Sequence, residues 1–447
     1  MKFNRLTLTP IAAAVSLIVM GGAVQAATVP ADVTLADDQT FTYRLLSDIT
    51  TFDPGLVEDR DSSDVIRNLF EGLLNQDADG NLIPGVAESY TTNDNKTVYT
   101  FKLRDNAKWS NGDAVTAHDF VYAWQRAADP ATASPYAWYV ELTDIVNAGD
   151  IVAGEKAPSE LGVQATDDHT LVVNLNKSSS YFDQMVTHAT LYPVHKATLE
   201  AHGQAWTKPE NMVGNGAYTL TEFVPSQRSV MKKNETYWDA ANTVLETIVT
   251  RTINDETAAY DAYVTNEINK TELPAGQFKT LSQKHGDEIV TTPDLCTYYY
   301  EVNLSDSGNA ALKNVDVRMA LSLALDRDVI TQDLLGSGQQ SAYSFTPPST
   351  AGFSAPETPA ATMTQAERDA KAKELIEAAN LDAPLSFKLL YNTSESHKKI
   401  AVLAASMWKQ KLGAQVELEN MEWASYLEAR STQQHEIARA GWCGDYN

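Results

Sequence analysis

Residues 385–418 restrict the folds open to this chain more than any other stretch, because they spell out strand, helix, strand. Leu385 to Tyr391 reads as an apolar strand. Ser394 or Thr393 then starts a helix whose Ile400, Leu403, Ala404 and Met407 recur at helical spacing, and Gly413 ends it. Ala414 to Leu418 is the second strand. Two strands joined by a helix pair in parallel through a right-handed crossover, so the class is α/β. Ligands of such sheets sit beyond the carboxyl ends of the strands, which puts the loop Asn392 to His397 at a cleft edge. Just upstream, Thr364 caps a helix running to about Ala379, with Leu375 and Ile376 on its apolar side.

Earlier segments are shorter and more varied. Asn75 to Gly80 has the acidic spacing of a calcium loop, but the twelfth position is Val86, where a bidentate Glu is required. A hairpin with Asp79-Gly80 at its tip fits better. Val98 to Leu103 alternates like a strand, Asn111-Gly112 marks a turn, and Thr116 caps a helix carrying Phe120, Val121 and Trp124. Residues 161–175 read as a short strand pair, with Leu171, Val173 and Leu175 on one face. Gly214-Asn215-Gly216 lacks the third glycine of a dinucleotide loop and reads as a turn before the strand Ala217 to Val224.

The N-terminus has the form of an export signal. Lys2 and Arg5 precede an apolar stretch from Ile11 to Met20, and Val24-Gln25-Ala26 offers a cleavage site. That stretch is too short to span a bilayer comfortably, and no cysteine near the cleavage site invites a lipid anchor. The expected location is the periplasm. The chain carries 34 basic and 59 acidic side chains, a charge that repels phosphate backbones and argues against nucleic-acid partners. Cys296 and Cys443 are the only cysteines, and in an oxidising compartment such a pair is expected to form a disulfide. No histidine pair stands at metal spacing beside either, and no metal or other cofactor is expected.

Several tracts resemble the periplasmic oligopeptide-binding family of solute receptors that serve ABC importers. The most specific are Leu295-Cys296-Thr297-Tyr298-Tyr299-Tyr300-Glu301, Tyr391-Asn392-Thr393-Ser394 and Arg439-Ala440-Gly441-Trp442-Cys443-Gly444-Asp445-Tyr446-Asn447. Leu69 to Leu74, Asn106 to Ser110, His118 to Tyr122 and Ser134-Pro135-Tyr136 match as well. The resemblance implies periplasmic-binding-protein-like hinged lobes with an additional inserted α/β domain. On that scheme residues 1–26 are the signal peptide, and 27–70 with 196–295 form a discontinuous first lobe. Residues 71–195 are then the insertion, and 296–447 the second ligand-binding lobe. Relatives continue past the tract that ends at Asn447, so the resemblance also implies an incomplete second lobe.

A receptor for many peptides must hold what all peptides share, the backbone and the two charged ends. A buried ammonium needs a fixed carboxylate, and the resemblance assigns that role to Asp445. It assigns the ligand carboxylate to Arg439 for shorter guests and to His397, near a helix start, for longer ones. Arg430 resembles a further pocket residue, and Glu58 an acidic loop contact, although Asp59, Arg60 and Asp61 depart from the family's pattern. Tyr136, Tyr263, Tyr299, Trp423 and Trp442 match pocket aromatics, and Gly441 and Cys443 are expected among the ligand-binding residues beside them. Asp333 and Leu335 stand where relatives place lysines, which predicts a different peptide-length preference. The expected partners are short peptides and the membrane permease subunits of an ABC transporter, and the receptor is expected to be a monomer.

Other readings compete. A secreted peptidase would need His-Glu-x-x-His or Gly-x-Ser-x-Gly, and neither occurs. Ser396-x-x-Lys399 matches a penicillin-binding pattern only formally, since its partner motifs are missing. A same-fold receptor for murein peptide, haem or nickel differs only in its ligand, which fold does not decide. A holdase for unfolded periplasmic chains could use the same backbone-reading cleft. No Walker loop is present, so any ATP hydrolysis belongs to a partner.

Overall fold

The structure is a computed structural model that describes residues 33–446. The segment 1–26, expected to be an export signal, lies outside the described residues. Three four-stranded sheets organise the chain. The first runs Thr40–Leu45, Thr247–Thr252, Arg228–Lys233, Tyr218–Val224. Its first pair is parallel and the others antiparallel. A segment before residue 46 therefore shares a sheet with segments after residue 217. Between them the chain builds a separate antiparallel sheet, Ala87–Thr92, Val98–Leu103, Thr170–Asn174, Val163–Asp167.

The crossing between these sheets is tightly built. Helix Arg60–Leu69 is capped by Asp59, whose carboxylate accepts the Ser62 N–H, and it buries Val65, Ile66 and Leu69. The returning strand approaches its end through Gly214-Asn215-Gly216. A Cβ on Gly214 would lie 2.2 Å from the Leu69 carbonyl oxygen, and one on Gly216 2.6 Å from that of Asn68. Only glycine permits that approach. Between them, the Asn215 amide pairs with both backbone groups of Glu71.

Glu71 itself is buried, and its carboxylate accepts from Tyr237 Oη at 2.5 Å, Trp238 Nε1 at 2.6 Å and Asn75 Nδ2 at 2.7 Å. Burial pushes its carboxyl up to about 7 against these donors. Nearby, Asp53 ties three distant segments together. It takes the Arg126 fork at 2.9 and 2.7 Å, and Trp206 Nε1 at 3.1 Å.

In the inserted sheet, helix Ala117–Ala128 buries Phe120 and Trp124. Its Asp119 carboxylate accepts from the Thr116 backbone N–H at 2.8 Å and the Thr116 hydroxyl at 3.0 Å. Leu74–Gln76 and Leu82–Pro84 form the hairpin read around Asp79-Gly80. The Asp77 carboxylate is used up by the Asp79 and Asn81 N–H groups of that turn.

The third sheet runs Cys296–Val302, Ile437–Cys443, Ser386–Asn392, Gln415–Met421. Ser386–Asn392 and Gln415–Met421 are parallel and joined by helix Glu395–Leu412, as the pattern predicts. Ser394 caps the start of that helix, and Gly413, at φ 70°, closes its end. Helix Gln365–Ala379 begins at the Thr364–Glu367 capping box. The last strand runs three residues beyond Leu418. Its polar tail hides this from hydrophobic patterning, but Lys388 pairs with Glu419 across the strands and Asn392 faces Met421. Trp408 seals the core under the sheet, with Nε1 donating to the Leu321 carbonyl at 2.8 Å.

Cys296 and Cys443 stand opposite one another in the first strand pair and are bonded across a sequence separation of 147. Replacing both with serine is expected to lower the unfolding free energy by about 2–5 kcal/mol, read by urea denaturation against the oxidised protein. Glu71→Ala strands three half-buried donors and is expected to lower it by about 2–4 kcal/mol in the same assay, with Glu71→Gln losing less.

Candidate functional site

The register of Cys296–Val302 against Ile437–Cys443 decides which side chains share a face. Thr297 lies opposite Trp442, and Tyr299 opposite Ala440, on one side. Tyr298 opposite Gly441 and Tyr300 opposite Arg439 lie on the other. After Cys443 the chain turns, the Gly444 N–H donates to the Leu295 carbonyl at 3.0 Å, and Asp445 follows.

Asp445 points into an aromatic enclosure built by a different part of the chain. Its Oδ1 lies 3.5 Å from Tyr136 Oη and 3.5 Å from His188 Nε2, and its side chain is only 13 % exposed. Tyr136 stacks on His188 at 5.0 Å and on Trp442 at 6.4 Å, with Trp138 against Trp442 at 5.6 Å. Tyr446 stacks on Tyr181 beside it at 5.6 Å. Burial pushes the Asp445 carboxyl up to about 6, with the Tyr136 hydroxyl pulling the other way. Burial, reinforced by Arg67, pushes His188 down to about 3, so this imidazole is neutral. Among the described residues no lysine or arginine pairs with Asp445. The arrangement is a partly buried carboxylate ringed by neutral donors and aromatic faces, with its charge uncompensated among the described residues.

The basic residues singled out by sequence lie in two other environments. Arg439 lies over the Tyr298 ring at 5.3 Å, and His397 packs against the same ring at 5.6 Å. His397 is buried, and neither ring nitrogen has a hydrogen-bond partner in the structure. Burial and the neighbouring Arg439 push it down to about 3. It therefore stands here uncharged, not as the cation expected from its place near a helix start. Arg439 Nε is likewise buried without a partner. Such unpaired donors are costly unless something fills the space. Arg430, by contrast, is bidentate to Glu301 at 2.6 and 2.8 Å.

The remaining residues are scattered around these clusters. Glu58 feels both Asp59 and Arg430, and desolvation raises its carboxyl. Trp423 stacks on Tyr426 at 5.7 Å, leaving its buried Nε1 unpaired. Tyr299 packs edge-on to Phe345 at 5.2 Å. Tyr263 donates to Glu288 at 2.5 Å and meets none of the other named residues directly. Asp333 lines a separate cavity with Asp326, Asp328 and Arg368. Among the described residues no group of His, Cys, Asp and Glu is arranged to hold a metal ion.

Contacts also run between the parts of the chain that flank this region. Arg60 pairs with Asp294 at 2.7 Å, its Nη1 3.6 Å from Cys296 Sγ. The Glu256 carboxylate accepts from Ser396 Oγ at 2.5 Å and from its N–H at 3.2 Å. Sequence reasoning missed His188, Trp138, Tyr181 and Glu256. Each is an isolated polar or aromatic residue with no local pattern, and only its long-range neighbours mark it.

A family model described as bacterial extracellular solute-binding proteins, family 5 Middle, matches residues 81–447. The periplasmic oligopeptide-binding protein OppA of Salmonella typhimurium is 45% identical over 434 residues, covering 96% of this chain and 79% of that protein. The solved structure of the Escherichia coli murein tripeptide binding protein MppA superposes with a TM-score of 0.90 at 42% identity, over 93% of this chain and 81% of that one. An MppA structure described as the unliganded open form, at the same 42% identity and over 92% of this chain and 80% of that one, gives only 0.62. Equal identity with unequal superposition means that conformation, not divergence, separates the two comparisons. The α/β sheets, the matched span and the identity to OppA agree, and this chain belongs to the family 5 extracellular solute-binding proteins.

Proposed function

We propose that this protein captures short oligopeptides in the periplasm by their backbone and charged ends and delivers them to an ABC importer. The observation that carries the reading is Asp445, a partly buried carboxylate with no cation beside it among the described residues. A peptide ammonium supplies the missing charge, and charge-assisted bonds of this kind contribute about 1.5–3 kcal/mol. Trp442, Tyr136 and Trp138 give the first residue of a guest aromatic walls of little side-chain specificity. Arg439 and His397 form the second polar cluster, one charged and one neutral, for the far end of the guest. Arg430 would turn to a guest carboxylate only by leaving Glu301.

In this reading residues 27–70 with 196–295, 71–195 and 296–447 move as lobes. The sheet shared by Thr40–Leu45 and Tyr218–Val224 supports the split first lobe. The Arg60–Asp294 and Glu256–Ser396 contacts, together with the poorer fit to the open MppA form, support a closed arrangement here. Guest binding shifts the population towards that form, which requires tighter binding to it. The guest is held and not cut, export uses the signal at 1–26, and the receptor works as a monomer with the permease subunits. The likeness to MppA favours murein tripeptide as a second guest, since that relative is named for binding it.

Calorimetry with a free-amine tripeptide and its N-acetylated form tests the ammonium site. Asp445→Asn is expected to weaken the free-amine peptide about tenfold or more, on a scale of about 1.4 kcal/mol per decade, and to leave the acetylated one unchanged. Equal affinity of the two peptides for the unaltered protein rejects the reading. Free-amine affinity should also fall as pH drops below about 6, where Asp445 takes up a proton in the empty site. It should fall again above roughly 8, where the peptide amine loses its proton. The acetylated peptide should show neither limb.

A further inference from the structure

His188 sits outside every motif described above, yet it is the side chain that backs the Asp445 carboxylate. It caps the short turn Ala189–Leu191, and its Nδ1 accepts the Thr190 N–H at 3.3 Å. An accepting Nδ1 leaves the proton on Nε2, the nitrogen that faces Asp445 Oδ1 at 3.5 Å. The ring is locked in place. It stacks on Tyr136 at 5.0 Å and packs against Tyr139 at 4.6 Å, and its side chain is 12 % exposed.

We propose that His188 is a positioning residue that orients Asp445 towards a guest ammonium as an uncharged donor, making the site selective for free amino termini. This rests on the peptide-capture reading above. The chemistry turns on charge. An arginine or a protonated histidine at this place would neutralise Asp445 and compete with the guest. A hydrocarbon would leave the carboxylate unsupported and more readily protonated. A neutral N–H does neither: it fixes the carboxylate's direction and leaves its charge for the guest. Burial and Arg67 keep His188 in that neutral state. The groups facing Asp445 are the Tyr136, Tyr139 and Tyr446 phenols and His188, with Glu58 beyond Tyr136. The phenols and His188 stay uncharged near pH 6, which leaves Asp445 and, beyond Tyr136, Glu58 as the carboxylates that the acid limb can report.

The test uses the full-length protein with the same tripeptide pair. His188→Phe keeps a ring in the stack and removes the donor. Free-amine affinity is expected to fall about tenfold, acetylated affinity to stay unchanged, and the acid limb to move to higher pH. His188→Gln, which restores an N–H, is expected to recover part of the selectivity and move the limb back. Should the Phe variant melt early, His188→Asn, too short to bring its amide to Asp445, gives the same comparison. An equal loss for both peptides, or selectivity and acid limb unchanged, overturns the inference. An unaltered protein that fails to distinguish the two peptides would reject the Asp445 reading itself instead.

Discussion

The antiparallel pairing of Cys296–Val302 with Ile437–Cys443 is the constraint on which the rest of the site depends. It joins segments 147 positions apart, and the disulfide at its end holds the register where fraying would otherwise begin. A slip of one residue would send Trp442 to the face that carries Arg439, and Arg439 to the face of Trp442. With the register held, Trp442 reaches Tyr136, and the turn beyond Cys443 lays Asp445 against His188. Arg60, with its guanidinium beside both sulfurs, packs the helix Arg60–Leu69 onto the same point.

Charge is handled differently in the scaffold and in the site. Asp53 and Glu301 are each matched by a bidentate arginine, and buried Glu71 by three neutral donors. These groups are complete within the chain and hold elements together. Asp445 is not complete. Its nearest polar groups, Tyr136 and His188, stand at 3.5 Å and bring no net charge. Unpaired donors at His397 and Arg439 mark a second incomplete place on the other face of the strand pair. An enclosure that is satisfied as architecture and unsatisfied at two polar ends is what capture of a zwitterion of variable side chains calls for.

Much of the third sheet is written locally. Alternating and helical periodicities, the Ser394 and Thr364 caps and Gly413 each act within a few residues, so the strand–helix–strand unit is readable before folding. Its far boundary was not, because Glu419 and Asn420 are held by cross-strand partners and not by burial of apolar faces. Asp445 and Trp442 were legible only through a resemblance carried by the whole tract around them. His397 was legible as a position but not as a charge state, since burial and the approach of Arg439 are products of packing.

By itself, then, the sequence determined the α/β class, the capped helices and the pairing of the two cysteines. These follow from short-range sterics, hydrogen bonding and the simple fact that there are two thiols. Tertiary structure alone decided that Tyr136, His188 and Trp442 meet around Asp445, that Arg430 faces Glu301, and that His188 is neutral. Those outcomes rest on contacts between segments dozens to hundreds of residues apart and on the exclusion of water between them, and neither is encoded in any local pattern.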